Sequence, residues 1–224
     1  MITIKFNDNI VHTYSSFEEI LKLENYNDII YLNCVYNQLS NLPELPNSLI
    51  ELFCGSNRLS CLPELPNSLK YLQCSQNCLL SLPELPNLLE YISCGYNILS
   101  ILPELPNSLE KLYCEHNKLF NLPKLPNSLE KFYCNNNILS SLPKLPNLLT
   151  DLNCGFNNLS SLPELPHSLN ILFCNENNLT SLPRLPNSLQ NIWCTNNKIS
   201  NLPQLPNSLK YLFCVHNSLS SLPD

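Results

Sequence analysis

The chain has 224 residues and a net charge of −6, with 19 prolines, 12 cysteines and only 3 glycines. Acidic and basic residues are mixed along the chain, which argues against nucleic acid and against a membrane surface as partners. No apolar run of about 18 residues is available to cross a membrane, and the N-terminus has no export signal, so we expect an intracellular, cytoplasmic protein with reduced thiols.

Residues 1–26 fall outside the repeat that fills the remainder of the chain, and we predict that they form an N-terminal cap. Apolar residues alternate with polar ones on both sides of the turn-like Asn7-Asp8-Asn9, which predicts a hairpin. Ser16 and Glu19 have the spacing of a capping box for a short helix that reaches about residue 25. A solenoid needs such a cap because its first coil otherwise exposes an apolar cross-section. A degenerate adaptor-binding motif is the alternative, but 26 residues are too few for that kind of domain.

Residues 27–224 contain ten copies of a twenty-residue unit without insertion, the last one incomplete. A full unit reads Leu49-x-x-Leu52-x-Cys54-x-x-Asn57-x-Leu59-x-x-Leu62-Pro63-x-Leu65-Pro66-x-x. The alternation around Leu52 and Cys54 is the period of a short strand with one buried face. Strands at an identical interval, with no room for a return strand, must run parallel and in register. We therefore predict a solenoid with one parallel β-sheet of about ten short strands.

Equivalent residues of successive coils form columns, and we name each column after its member in residues 49–68. Apolar side chains at positions 42, 45, 49, 52, 54 and 59, and at their equivalents, are predicted to fill one continuous core. The Asn57 column is predicted to form a ladder of amides that hydrogen-bond to the backbone of the same and the neighbouring coil. The prolines favour an extended, polyproline-like outer side and exclude helix there.

The repeat resembles the short, bacterial-type leucine-rich repeat of type III secreted effectors from enteric pathogens, with Cys in the usual Val position. The cysteine-bearing form is also similar to leucine-rich-repeat proteins of giant DNA viruses of amoebae. The resemblance implies a solenoid that recognises proteins, often through its concave face. Some of those effectors add a ubiquitin-ligase domain with a Cys-x-Asp nucleophile motif. This chain contains no Cys-x-Asp, so that activity does not carry over.

The ten cysteines from Cys34 to Cys214 share one column on the predicted buried face, and we interpret them as small apolar core residues. They lack the clustered Cys-x-x-Cys spacing of a zinc site, and we expect neither a metal nor another cofactor. Cys61 and Cys78 lie outside the column, and Cys78 is predicted to be the more exposed. The four histidines are scattered, and no nucleophile, base and oxyanion site converge, so we predict that the chain is not an enzyme.

Thirteen of the fifteen aromatic residues in the repeats occupy variable columns that the alternation points outward on the strand side. Exposed apolar strips of this kind mark interfaces, although aromatic residues also suit strands for purely structural reasons. Mixed charges lie beside them and are predicted to fix the register of a partner: Glu90, Glu110, Glu130, Lys111, Lys131 and Asp151. The predicted function is protein binding; glycan binding and substrate recognition within a ubiquitin-ligase complex are the alternatives. The predicted partner-binding residues are Tyr31, Phe53, Tyr71, Tyr91, Tyr96, Tyr113, Tyr133, Phe156, Phe173, Trp193, Tyr211 and Phe213.

The sequence stops in mid-repeat at Leu222-Pro223-Asp224. The strand near Tyr211 is expected to be an open sheet edge, with apolar Leu212, Leu219 and Leu222 uncovered. Open edges pair with other chains, so we expect self-association through the last coil.

Overall fold

The computed structural model describes residues 1–8 and 10–221. Asn9 of the predicted hairpin turn and Leu222, Pro223 and Asp224 of the predicted open end lie outside the described residues. The cap contributes strands β1 (Ile2–Lys5) and β2 (Val11–Tyr14), helix α1 (Phe17–Ile20) and a 3-10 turn at Tyr26–Asp28. Each coil then contributes one three-residue strand: β3 (Tyr31–Asn33), β4 (Glu51–Phe53), β5 (Tyr71–Gln73), β6 (Tyr91–Ser93), β7 (Lys111–Tyr113), β8 (Lys131–Tyr133), β9 (Asp151–Asn153), β10 (Ile171–Phe173), β11 (Asn191–Trp193) and β12 (Tyr211–Phe213).

The ten repeat strands form the predicted parallel sheet, with every neighbour displaced by one repeat. Leu152, Leu172 and Ile192, for example, lie side by side in β9, β10 and β11. The predicted hairpin is present but is not a separate cover, because β1 pairs antiparallel with both β2 and β3. It therefore extends the sheet to twelve strands and supplies hydrogen-bonding partners to the first coil.

The prediction for the helix of the cap is wrong in its length and in its capping. The helix ends at Ile20 instead of about residue 25. The chain turns more tightly there, and the Leu23 amide donates a hydrogen bond to the Ile20 carbonyl, three residues earlier. Ser16 makes no side-chain cap. The Glu19 carboxylate instead accepts hydrogen bonds from the hydroxyl and the amide of Ser15, and these bonds lower the pKa of Glu19.

Most members of the predicted core columns are buried in the middle of the solenoid, as Leu42, Leu45, Leu49, Leu52 and Leu59 illustrate. Leu65, Leu105 and Leu122 are the partly buried members there. Because each column repeats at every coil, its side chains pack into one cluster that continues along the solenoid. Burial of this apolar surface provides the main driving force for folding.

The asparagine column forms the predicted ladder, and Asn137 illustrates it. Its amide nitrogen donates to the carbonyls of Cys114, Cys134 and Asn135 at 3.1, 3.0 and 3.4 Å, and its oxygen accepts from the Leu119 amide at 2.9 Å. One buried side chain thus satisfies backbone groups of two coils that would otherwise be orphaned.

The proline-bearing outer segments contain no helix among the described residues and reverse in a tight turn. In that turn the Leu49 amide donates to the Pro46 carbonyl at 3.1 Å. The Ser68 hydroxyl lies within 2.8 Å of the Asn47 carbonyl and 2.7 Å of the Leu49 carbonyl, both in the preceding coil. The outer side is therefore extended, as predicted, and is tied between coils by serines as well as by packing.

Candidate interaction surface on the strand face

The strand face consists of the Glu51 and Phe53 columns, whose side chains leave the sheet on the side opposite to the core. Two outward residues flank one buried residue in each repeat strand, because successive side chains of a strand alternate between faces. From β3 to β11 these outward residues are half-buried. Their partial burial comes from contacts with one another across neighbouring strands.

Six aromatic rings on the first half of this face are in continuous contact, and we call them the six-ring row. Its members are Tyr31, Phe53, Tyr71, Tyr91, Tyr113 and Tyr133, with successive ring centroids between 3.9 and 5.4 Å apart. Tyr71 and Tyr91 stack almost parallel at 3.9 Å, whereas Tyr113 meets Tyr133 edge to face. Such contacts hold the rings in fixed orientations and stabilise each pair by about 0.5–1.5 kcal/mol.

Three further strand rings, Phe173, Trp193 and Phe213, form a second, shorter group that does not touch the first. Trp193 contacts Phe173 edge to face at 4.4 Å and stacks on Phe213 at 4.7 Å. Strand β9 lies between the two groups and presents Asp151 and Asn153. Asn153 interrupts the rings of the Phe53 column, and Asp151 in the other outward column is also polar, so the ring contacts stop there.

The sequence pattern places Tyr96 and Phe156 in an outward position of the strand side, but both lie beyond the three-residue strands, in the turn that follows each cysteine. Strand alternation does not extend to their column, because every residue of the Ser56 column has a left-handed backbone; φ is 54° at Tyr96 and 53° at Phe156. Tyr96 stacks on His116 at 4.1 Å, in the turn after the strand. Tyr211 remains on the strand face, but it lies in the last strand and is 57% exposed.

Three phenols of the row, those of Tyr91, Tyr113 and Tyr133, are held in their neutral form. Burial is the main cause that raises the pKa of Tyr91, Tyr113 and Tyr133. Protonated phenols can both donate and accept hydrogen bonds. The row therefore offers apolar ring surface together with neutral polar groups.

The predicted charge patch lies around the row. Lys111 and Lys131 are neighbours in the sheet, between Tyr91 and Asp151 of the same column. Lys70 forms an ion pair with Glu90 at 2.9 Å, with both side chains about half exposed. An exposed pair of this kind contributes little to stability.

Glu115 adjoins the row and is partly buried. Its Oε2 atom has no hydrogen-bond partner, and neither has Oδ1 of Asn135, the equivalent residue of the next coil. Burial raises the pKa of Glu115, because the charged carboxylate is poorly solvated there.

The cysteine column is buried as predicted, from Cys34 to Cys194, while Cys214 is partly exposed. Burial raises the pKa of the thiols, to about 12 for Cys34, Cys154 and Cys194. All twelve cysteines are free, and both Cys61 and Cys78 are exposed. From Cys34 to Cys194 the column therefore consists of protonated, enclosed thiols that fill the core.

The outer side differs from the strand face in being polar and furrowed. Glu104 and Glu164, which lie between the prolines of their coils, are exposed there. Shallow clefts separate neighbouring coils there, and one of about 500 Å³ is lined by residues that include Glu104, Leu105 and Lys124.

The part of the chain that the structure describes contains no group of three or more His, Cys, Asp or Glu side chains able to hold a metal ion. None of its helices has the length and apolar composition needed to span a bilayer.

The solved structures to which this chain is similar are solenoids of the same kind. YopM from Yersinia enterocolitica is 35% identical, with a TM-score of 0.61, over 84% of this chain and 51% of that one. The leucine-rich-repeat domain of a Shigella effector is 30% identical, with a TM-score of 0.53, over 92% of this chain and 78% of that one. A leucine-rich-repeat protein of Leptospira interrogans is 24% identical, with a TM-score of 0.66, over 93% and 71% of the two chains. This chain thus spans about half the length of YopM. It matches no protein-family model and no curated protein.

Proposed function

We propose that this chain, which belongs to the leucine-rich-repeat proteins, binds a protein partner through its strand face. The observation that carries the proposal is the six-ring row, a continuous aromatic surface on the outward side of six adjacent strands. Aromatic side chains, tyrosine and tryptophan above all, are enriched among the residues that dominate binding energy.

The packing of the rings favours binding for an energetic reason. Side chains already held by their neighbours lose little rotamer entropy when a partner covers them, so more of the interaction energy appears as affinity. From β3 to β8 the row crosses five strand spacings, roughly 24 Å. That length suits the central cluster of an interface of standard size.

Two further properties are proposed with this function. Twelve free thiols suit a reducing compartment, which supports action inside a cell, in the cytoplasm. The viral origin suggested by the cysteine-bearing repeat stays a prediction, as does the expectation that the chain is not an enzyme.

The experiment compares the two sides of the solenoid. Tyr113→Asn combined with Tyr133→Asn removes two rings of the row, and asparagine already occupies their column at Asn33 and Asn153. Once affinity capture with mass spectrometry has identified a partner, this variant should weaken binding by about 10- to 1,000-fold. The combination Glu104→Ala and Glu164→Ala, on the outer side, should leave affinity unchanged.

Thermal unfolding of both variants is the control. The rings support one another, so the tyrosine variant should lose about 1–2 kcal/mol of stability but remain folded. If the folded tyrosine variant binds normally while the glutamate variant does not, the partner occupies the outer side and the proposal is wrong. A glycan array tests the alternative ligand class; saturable glycan binding abolished by the same two tyrosine changes would replace a protein partner with a sugar.

A further inference from the structure

A second apolar patch lies on the flank of the solenoid, between the asparagine ladder and the proline segments. The flank comprises the Arg58, Ser60 and Cys61 columns. In most coils these columns carry serine, threonine, asparagine or another polar residue. Five large apolar residues interrupt this pattern, and all five fall in coils three to six: Leu80, Ile98, Ile101, Phe120 and Ile138.

The five side chains are exposed, from 39% for Ile98 to 62% for Leu80. They are adjacent because backbone hydrogen bonds join their coils at this level. The Ile98 amide donates to the Leu79 carbonyl at 3.1 Å, the Phe120 amide to the Ser100 carbonyl at 3.4 Å, and the Ile138 amide to the Leu119 carbonyl at 3.0 Å. Each apolar residue therefore adjoins the position of the next, and together they form one strip, which we call the flank patch.

The fold does not require these residues to be apolar. The Ser60 column holds serine or threonine in every coil except those of Leu80 and Phe120. Asn158 and Asn178 occupy the column of Ile98 and Ile138 without any change in the coil. Exposed apolar residues that packing does not explain, gathered in one place, mark an interaction surface.

The charge of the flank restricts what would bind there. Its three columns contain Arg58, Lys118 and Lys198 but no Asp or Glu, although the chain as a whole has a net charge of −6. Lys118 lies between Ile98 and Ile138 in its column, is exposed, and forms no ion pair among the described residues. A ligand that covers the patch would therefore place carboxylates beside Lys118 and apolar side chains on Phe120 and Ile98.

We propose that the flank patch is a second binding site, independent of the strand face, and that it takes an acidic, amphipathic segment of another protein. The serines around the patch supply a polar rim, which is the usual surround of the apolar centre of a protein interface. From Leu80 to Ile138 the patch crosses three coil spacings, about 14 Å. That distance corresponds to between two and three turns of a helix. A membrane surface would require clustered basic residues, whereas this flank offers cations one at a time.

The test uses a phage-displayed library of random linear peptides, selected on the full chain. The variant Ile98→Asn with Phe120→Ser replaces two patch residues by those that other coils carry, so its fold should be unchanged, as far-ultraviolet circular dichroism will verify. The matched control is Leu88→Ser with Leu148→Ser, because both leucines are about half exposed but lie in the outer turn. Tyr113→Asn with Tyr133→Asn serves as the control for the strand face.

The selected peptides are expected to be rich in apolar residues and in Asp and Glu. Their affinity for the patch variant should fall by at least about tenfold, and Lys118→Glu should weaken them severalfold. The leucine and tyrosine control variants should bind the same peptides with an affinity within about twofold of the unchanged protein. If no peptide depends on the patch, or if the dependent peptides are not acidic, the proposal is overturned. It is also overturned if the patch variant loses only binding to phosphatidylserine vesicles, or only a self-association seen by sedimentation.

Discussion

Strands β10 and β12 end in the same two residues and are followed by the same cysteine, but they have different environments. Leu172-Phe173-Cys174 and Leu212-Phe213-Cys214 are identical in sequence. Cys174 is fully buried and Phe173 half-buried, whereas Cys214 is partly exposed and Phe213 is 44% exposed. The difference arises because coils lie on both sides of β10, while no strand follows β12 among the described residues. A coil of this solenoid therefore acquires its burial from its neighbours more than from its own sequence.

Thiol labelling should show this difference most strongly. In the native protein, Cys61 and Cys78 should react with iodoacetamide at nearly the rate of unfolded chain, and Cys214 more slowly. The buried members of the column should be protected by roughly a thousandfold or more, because they react only after the coil opens. Peptide mapping by mass spectrometry at successive times measures all twelve rates, and fast labelling of Cys134 or Cys174 would contradict the inward placement.

The asparagine ladder offers the next largest contrast. Asn137→Ala should lower the free energy of unfolding by about 3 kcal/mol, because several buried backbone groups lose their partner together. Asn217 makes equivalent bonds in the last coil, but water can replace them, so Asn217→Ala should cost about 1 kcal/mol. Urea unfolding measures both values. Equal losses would show that the last coil is as well enclosed as the middle.

The period of twenty residues and its alternation suffice to predict the parallel sheet, the buried cysteines and the ladder, because each is a local rule repeated at every coil. The same rule does not extend to Tyr96 and Phe156, which lie beyond the strands. There the chain leaves the extended conformation after Cys94 and Cys154, and alternation no longer tells which way a side chain points.

Two features of the surface depend on relations between coils that one repeat does not contain. The ring contacts stop at β9 because Asp151 and Asn153 are both polar, a condition visible only when two columns are read together. The flank patch was absent from the predicted sites, although the departure of Leu80 and Phe120 from a serine column is a signal in the sequence. The sequence predicts the cap hairpin, but it does not tell that β1 pairs with β3 and so joins the hairpin to the sheet.

Self-association of the 224-residue chain through strand β12 stays a proposal. Substitutions on the outward face of that strand test it. Tyr211→Lys with Phe213→Asn introduces residues that occur in the same columns at Lys111 and Asn153. A charge on an edge strand opposes pairing, so dimerisation should weaken by about tenfold, or about 1.4 kcal/mol. Sedimentation measures the effect. A wild-type chain that is monomeric, with strong hydrogen-exchange protection in β12, would refute the proposal.

A carboxylate in the middle of the solenoid should affect stability more than a carboxylate in its last coil. Because burial raises the pKa of Glu115 above its ordinary value of 4.5, the folded state holds the proton more tightly than the unfolded state. The contribution of Glu115 to stability is therefore greatest below pH 4.5 and is lost as the pH rises through its raised pKa. Glu115→Gln should stabilise the protein at pH 7 by about 1 kcal/mol and have no effect at pH 4. Val215→Glu, in the exposed last coil, should change stability little at either pH, and a glutamine variant that is no more stable at pH 7 would contradict the burial of Glu115.

The smallest expected effect concerns the serine bonds between coils. Where serine occupies the outer turn, its hydroxyl binds carbonyls of the preceding coil, as Ser108 does with Asn87 and Leu89. Leu88 occupies the same column, is 52% exposed, and cannot make these bonds. Leu88→Ser loses about 1 kcal/mol of apolar burial and gains a hydrogen bond of similar value, so its net effect should be close to zero.

Comparison with Leu88→Ala isolates the hydrogen bond, because alanine loses the same burial without gaining a donor. The serine variant should be more stable than the alanine variant by about 0.5–1 kcal/mol. At Ser160, which is exposed and lies on the flank, exchange of serine for alanine should change stability by less than about 0.5 kcal/mol. Thermal unfolding of the three variants measures these differences in stability. If serine and alanine are equivalent at position 88, the hydroxyl bonds contribute nothing between coils, and the middle of the solenoid is stabilised by its core and its asparagine ladder alone.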